Sequence, residues 1–307
     1  MSAVRPKDSS RNVGSVSIKS HRAGEASRRP LGLAVATFIA AVAWAGWCFG
    51  RGGGPYPTLK QPYENTLGMK FVPVPGTQVL FSIWDTRMRD YAVYARTNSG
   101  VDDSWQTPVY EGVAVTPSDD CPVVNVSWND AVGFCEWLTQ KERAEGRIGR
   151  EAMYRLPTDA EWSWAVGIGG RESGATPKEK SQKLEGEYPW GTRWPPPDRA
   201  GNFADLTAKE KFPSLDTIEG YRDGFVTTSP VGSFAPNRFG LYDMGGNVWQ
   251  WCQDKYTPGQ ESRVLRGSSW FTYARPNLLS SRRRMNDSGT RSRKFGFRCV
   301  LVVGPRS

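Results

Sequence analysis

Apolar and polar positions fall into blocks of different period along this chain. Residues 31–50, LGLAVATFIAAVAWAGWCFG, contain no charged or strongly polar side chain. Twenty such positions are about the length a helix needs to cross a bilayer. Residues 1–30 before them are rich in Ser and Arg and read as a disordered tail. Residues 51–62, RGGGPYPTLKQP, read as a linker. Beyond it, the apolar run from Leu67 to Val74 predicts a first strand, and Val79 to Ser82 predicts its hairpin partner. The region from Val123 to Gly146 predicts a helix. Ser127 and Asp130 form its capping box, and Ala131, Phe134, Cys135 and Leu138 line one face at helical spacing. A second helix is predicted from Thr158, capped by Glu161 and stopped at Gly167. From Gly169 to Asn237 no period holds, and a stretch this long usually means functional loops or structure held by ions. Val264–Arg266 and Gly296–Val303 read as late strands.

Charge divides the chain unevenly. Residues 1–51 hold eight Lys/Arg against two Asp/Glu, and the remainder holds 32 against 29. The large domain is therefore only mildly basic, and no nucleic-acid partner is expected. The excess of Lys/Arg upstream of residue 31 places the N-terminus in the cytoplasm and the domain, residues 63–307, outside. The localisation expected is a single-pass membrane protein with a periplasmic or extracellular domain. Two cleaved-signal readings stay open: Ala43-Trp44-Ala45 has a small-x-small form, and Ser27-Arg28-Arg29 has a twin-arginine form.

Cysteine and histidine narrow the chemistry. Beyond Cys48, four cysteines remain: Cys121, Cys135, Cys252 and Cys299. No C-x-x-C pair occurs among them, so neither a zinc site nor a thioredoxin-like motif is suggested. In an oxidising compartment, four cysteines suggest two disulfides, and spacing allows three pairings. The single histidine, His21, lies in the tail. The exported domain can hold no Ser-His-Asp triad, Cys-His pair or histidine metal site.

Six blocks then follow in order: Pro122–Ala131, Arg155–Trp162, Tyr188–Gly191, Gly201–Ala204, Gly240–Trp251 (GLYDMGGNVWQW), and Arg266–Trp270 running on to Gly296–Cys299. Together they resemble the formylglycine-generating enzyme, or sulfatase-modifying factor, family from about Thr66 to Val303. The resemblance implies one α+β domain of C-type-lectin-like fold, rich in loops and poor in regular structure. It also implies calcium. One family site corresponds to Asn202, Phe203, Asp223 and Phe225, all oxygen ligands. The other corresponds to Asp243, Gly246, Val248 and Gln250, with Gln250 where the family has Glu. The family's structural disulfide implies Cys135–Cys299, which leaves Cys121 and Cys252 as the expected second pair.

The same resemblance casts doubt on the family's reaction. Its active members bind copper(I) through two thiolates that here correspond to Thr272 and, within about two residues, Asn277. No cysteine occurs between Gly267 and Arg298. Hydroxyl and amide groups cannot replace soft thiolates for copper(I), so copper is not expected. Arg282, Arg283, Arg284 and Asn286 lie where the family has its substrate pocket, and are candidates to hold an anionic group. The expected function is a non-oxidising, membrane-anchored binding member with a peptide or glycan ligand. The alternatives are an oxidase with a rebuilt site and an envelope scaffold.

Overall fold

The computed structural model describes residues 56–304. The expected tail, the apolar segment 31–50 and the start of the linker lie outside the described residues. Among those described, no helix is long and apolar enough to cross a membrane. The domain is mixed α+β and rich in loops. Its strands are β1 (Tyr63–Glu64), β2 (Lys70–Pro73), β3 (Val79–Ser82), β4 (Val109–Tyr110), β5 (Val113–Ala114), β6 (Met153–Arg155), β7 (Trp249–Lys255), β8 (Arg263–Arg266), β9 (Arg284–Asn286), β10 (Phe295–Gly296) and β11 (Val300–Val302). Its helices are α1 (Met88–Thr97), α2 (Trp128–Ala144), α3 (Asp159–Val166), α4 (Pro177–Lys180), α5 (Leu206–Lys211) and α6 (Arg275–Leu278).

The antiparallel sheet β1-β2-β3-β11-β6 carries the expected β2–β3 hairpin. The late strand β11 pairs with β3, placing Val300 opposite Phe81 and Val302 opposite Val79. The two ends of the domain are thereby hydrogen-bonded to one another. The second sheet runs β10-β7-β8-β9, with β10 parallel to β7 and the other pairs antiparallel. A ribbon of β4 and β5 stands apart.

The two predicted helices form where their caps lie. The Asp130 amide donates to Ser127 Oγ at 3.1 Å, and the Ser127 amide donates to Asp130 Oδ2 at 2.8 Å. The Glu161 amide donates to Thr158 Oγ1 at 3.1 Å, and α3 ends at Gly167 with φ +96°. The apolar face of α2 buries Phe134, Cys135 and Leu138 against Phe71, Leu80, Trp251, Phe297 and Leu301. Burying side chains of this size contributes about 1.5–3 kcal/mol each. A second core gathers Phe81, Trp162, Leu241, Met244, Val264 and Val300. Between them these cores clamp β7 and β8, which carry Gln250 and Arg266.

Candidate functional site

The long aperiodic region returns to β7 at a cradle of oxygen atoms. The Asn202 Nδ2 donates to the Thr227 carbonyl at 2.7 Å, which fixes the orientation of the amide. Its Oδ1 is buried and has no hydrogen-bond partner. The amides of Phe203 and Phe225 each donate to the Asp223 carboxylate at 2.8 Å. The carbonyls of the same two residues accept no hydrogen bond among the described residues. Asp205 caps α5 and also accepts from the Asp223 amide at 2.6 Å. Burial, followed by the charge of Asp205, pushes the Asp223 carboxyl up to about 8. An orphaned amide oxygen, two idle carbonyls and adjacent carboxylates form a donor set that suits a hard cation such as calcium. No cluster of three or more His, Cys, Asp or Glu side chains is placed for a metal among the described residues. A cation bound here would be held largely by amide and carbonyl oxygens. Gly246 lets the next segment close on this cradle. A Cβ there would lie 2.3 Å from the Asn202 carbonyl oxygen, and its φ is +87°.

The second expected calcium set does not fit, which corrects the reading of Gln250 as a ligand. Gln250 Oε1 accepts from Trp162 Nε1 at 2.9 Å and from Arg298 Nε at 2.8 Å. Its Nε2 donates to the Asp243 carbonyl at 2.7 Å. Trp162 and Arg298 only donate and the carbonyl only accepts, so this orientation is fixed. The amide oxygen is fully committed, and an N–H group faces the Asp243 carbonyl. Arg298 is itself buried and also donates to Ser82 O, Tyr242 O and Asp243 O. It pairs with Asp85 at 3.3 Å. Burial pushes the carboxyl of Asp85 well up, against the opposing charge of Arg298.

Thr272, the residue expected to correspond to the first copper cysteine, closes a turn. Its Oγ1 accepts the Ser269 amide at 3.1 Å, and its own amide donates to Ser269 O at 2.9 Å. Asn277 lies on α6, where its amide donates to Ala274 O at 2.9 Å. The four thiols of the described residues are buried elsewhere. Thr272 and Asn277 offer oxygen and amide groups, and these do not fit copper(I). Cys135 and Cys299 lie with their sulfurs 3.5 Å apart as thiols. Cys121 instead contacts Ser118 Oγ and Thr228 O, whereas Cys252 contacts Gln250 O. The structure brings the first expected pair together and not the second.

The three consecutive arginines do not act together, a further correction. Arg283 is buried, with Nε and Nη2 on the two oxygens of Asp159 at 3.0 and 2.9 Å. It also binds both oxygens of Glu172. Arg266 of β8 joins the same Asp159 and lies 4.2 Å over the Trp162 ring. Arg283 is thus a closed structural pair and cannot receive a ligand. Arg284, the first residue of β9, is exposed, whereas Arg282 before the strand and Asn286 at its end are half-buried.

A cleft of about 510 Å³ opens elsewhere, lined by Tyr188, Trp190, Arg171, Arg199 and Arg238 among others. Thr272, Asn277 and the residues of β9 take no part in its lining. Asp205, Asp85, Asp159 and Glu172 were not visible as site residues in the sequence. Of these, only Asp205 carries a local signal, as an N-cap three residues before Ala208.

Residues 66–303 match the sulfatase-modifying factor enzyme 1-like domain. The inactive C-alpha-formylglycine-generating enzyme 2 of mouse (Mus musculus) is 38% identical over 207 residues, covering 65% of this chain and 55% of that protein. The formylglycine-generating enzyme of Thermomonospora curvata is 37% identical over 150 residues, covering 49% and 39%. The chain thus spans about half the length, or less, of these curated relatives. Among solved structures, Treponema denticola variable protein 1 superposes with TM-score 0.52 at 18% identity, covering 78% of this chain and 98% of that one. That likeness concerns the fold alone.

Proposed function

The chain belongs to the sulfatase-modifying factor family, and from that premise we propose that it is a non-oxidising member whose domain binds a ligand instead of converting a cysteine. The observation that carries this reading is the Thr272 turn. The family's reaction requires a metal that activates oxygen, and copper(I) requires two soft ligands. Thr272 offers a hydroxyl oxygen already taken by the Ser269 amide. The nearby Asn277 offers an amide. Neither supplies a thiolate, and the buried cysteines belong to other parts of the core. The name carried by the mouse relative, an inactive enzyme, supports the same reading.

In this reading, residues 31–50 tether the domain to a membrane with its N-terminus on the cytoplasmic side, as their composition and the upstream Lys/Arg suggest. Calcium at the Asn202–Asp223 cradle serves to hold the aperiodic loops, not to react. The deciding experiment incubates the full chain with a sulfatase-type cysteine peptide, copper(I) and oxygen, and follows the peptide by mass spectrometry. The thiol mass is expected to persist. Copper-dependent aldehyde formation would return the protein to the oxidising members of its family. Resistance to alkaline extraction from membranes checks the tether.

A further inference from the structure

Two outward residues of the triple arginine lie close to a second set of cations. Arg284, on the edge strand β9, lies 5.6 Å over the Phe295 ring. Lys294, the residue before that phenylalanine, lies 4.9 Å over the Phe271 ring. Arg293 lies 5.2 Å over Tyr110, whose ring is 5.2 Å from that of Phe271. These cations and rings form one continuous patch, and Phe271 adjoins the Thr272 turn. The side chains of Arg282, Arg284 and Lys294 have no hydrogen bond or ion pair with any described residue. Arg293 donates only to the Val109 carbonyl, at 2.6 Å.

Three carboxylates lie at the margin, Glu111 beside Tyr110, Asp216 beside Tyr273, and Asp287, which accepts from the Ser262 hydroxyl at 3.0 Å; none is ion-paired with Arg282, Arg284, Arg293 or Lys294. Like charges held together without an ion-pair partner raise the free energy of the unbound protein, and a ligand of opposite sign relieves that cost. Burial and then the neighbouring Arg284 and Arg293 push the Lys294 ammonium down, as expected for such crowding. The patch is also apolar at its margins. Val109, Tyr273 and Met285 are exposed by 52%, 42% and 51%. The rings beneath the cations are already covered, so a sugar has little face on which to stack, whereas the exposed aliphatic groups suit apolar side chains.

We infer that Arg284, Arg293 and Lys294, with Arg282 beside them, form a docking surface for an acidic polypeptide segment that also carries apolar side chains. This rests on the non-oxidising binding reading and names the ligand class for it. The segment lays carboxylates on the cations and apolar groups against Val109, Tyr273 and Met285, across the mouth of the Thr272 turn.

The test uses the full chain and a fluorescein-labelled peptide of Glu, Leu and Tyr, followed by fluorescence anisotropy. Binding is expected, weakening with added salt. The Arg284→Gln/Lys294→Gln double variant is expected to lose about tenfold in affinity while keeping the melting temperature. The Arg199→Gln/Arg238→Gln variant removes the same charge from the distant cleft and is expected to bind as the parent does. Equal losses in both variants, no binding, or equal binding of a Lys-containing peptide overturn the proposal. So does binding of a sulfated oligosaccharide without binding of the acidic peptide, which makes the surface a glycan site. Oxidation of a cysteine peptide overturns the non-oxidising reading instead, whatever the anisotropy shows.

Discussion

Gln250 donates its amide hydrogen to the backbone carbonyl of Asp243 at 2.7 Å, joining two residues of the expected second calcium set to each other. The interior is closed by hydrogen bonds at this point. Replacing Gln250 by Glu removes the donor and places a carboxylate against a carbonyl. In calcium-free buffer, Gln250→Glu is expected to cost about 1–3 kcal/mol, the range for a buried group left unsatisfied, because Arg298 still faces the new charge. Calcium is expected to restore the loss, with one more binding event by calorimetry than in the parent. A variant as stable as the parent in chelator, with no additional calcium event, would show that Gln250 does not occupy the position of the ion.

The cradle of Asn202, Phe203, Asp223 and Phe225 is expected to bind calcium in the parent protein. At about 100 times the dissociation constant, binding adds roughly 2.7 kcal/mol to stability. Chelator should lower the melting temperature, and Asp223→Ala should abolish the difference. A melting temperature indifferent to chelator would leave Asp223 as a turn residue.

Asp159 joins Arg266 and Arg283 in the core. Burial alone would raise its carboxyl, but the two guanidinium groups outweigh burial and hold it below the usual range. A depressed folded value means that the stabilisation is complete above the unfolded value, near 3.9, and is lost as pH falls through the folded one. Asp159→Asn is expected to cost about 3–5 kcal/mol at neutral pH, since it leaves buried cations underpaired. It should also flatten the fall of stability below about pH 4. An unchanged acid limb in denaturant titrations would assign that limb to other carboxylates.

Cys135 and Cys299 are expected to oxidise to one disulfide in exported protein, while Cys121 and Cys252 stay reduced. The bridge would join positions 164 residues apart. A loop of that length is worth about 5 kcal/mol in the chain-entropy model. Burial, and then the neighbouring Cys299, push the Cys135 thiol well up, so thiolate is scarce once the core has closed. Oxidation should therefore be faster in nascent or unfolded chains than in folded protein. Peptide mapping under non-reducing conditions decides the pairing, and a Cys121–Cys252 link would refute it.

Where a local rule governs the backbone, the sequence was readable. Ser127 with Asp130 and Thr158 with Glu161 announced α2 and α3 because a capping box lies within one turn. α1 gave no such signal. Its N-cap is Arg87, whose amide donates to Asp90 Oδ2 at 3.1 Å and whose guanidinium pairs with the same carboxylate at 2.8 Å, so a long cation stands where a short hydroxyl would signal a cap. The cradle at Asn202 and Asp223 was legible only through motif likeness, because its two halves are twenty-one positions apart. Asp205 and the commitments of Gln250 and Arg283 were hidden for a plainer reason. Whether a polar side chain faces a ligand or another side chain depends on partners up to 124 positions away. No periodicity along the chain carries that information.

The alternation within Arg282-Arg283-Arg284 has a consequence for how the chain finds its pairing. Three identical side chains offer no hydrophobic cue to register, yet only the middle one has a buried pair of carboxylates waiting in Asp159 and Glu172. Sliding β9 by one position against β8 would swap the faces, driving two guanidinium groups inward where one is accommodated and stranding the third in solvent. The buried ion pair therefore selects one register over its neighbours, because a one-residue slip leaves Asp159 and Glu172 without their cation.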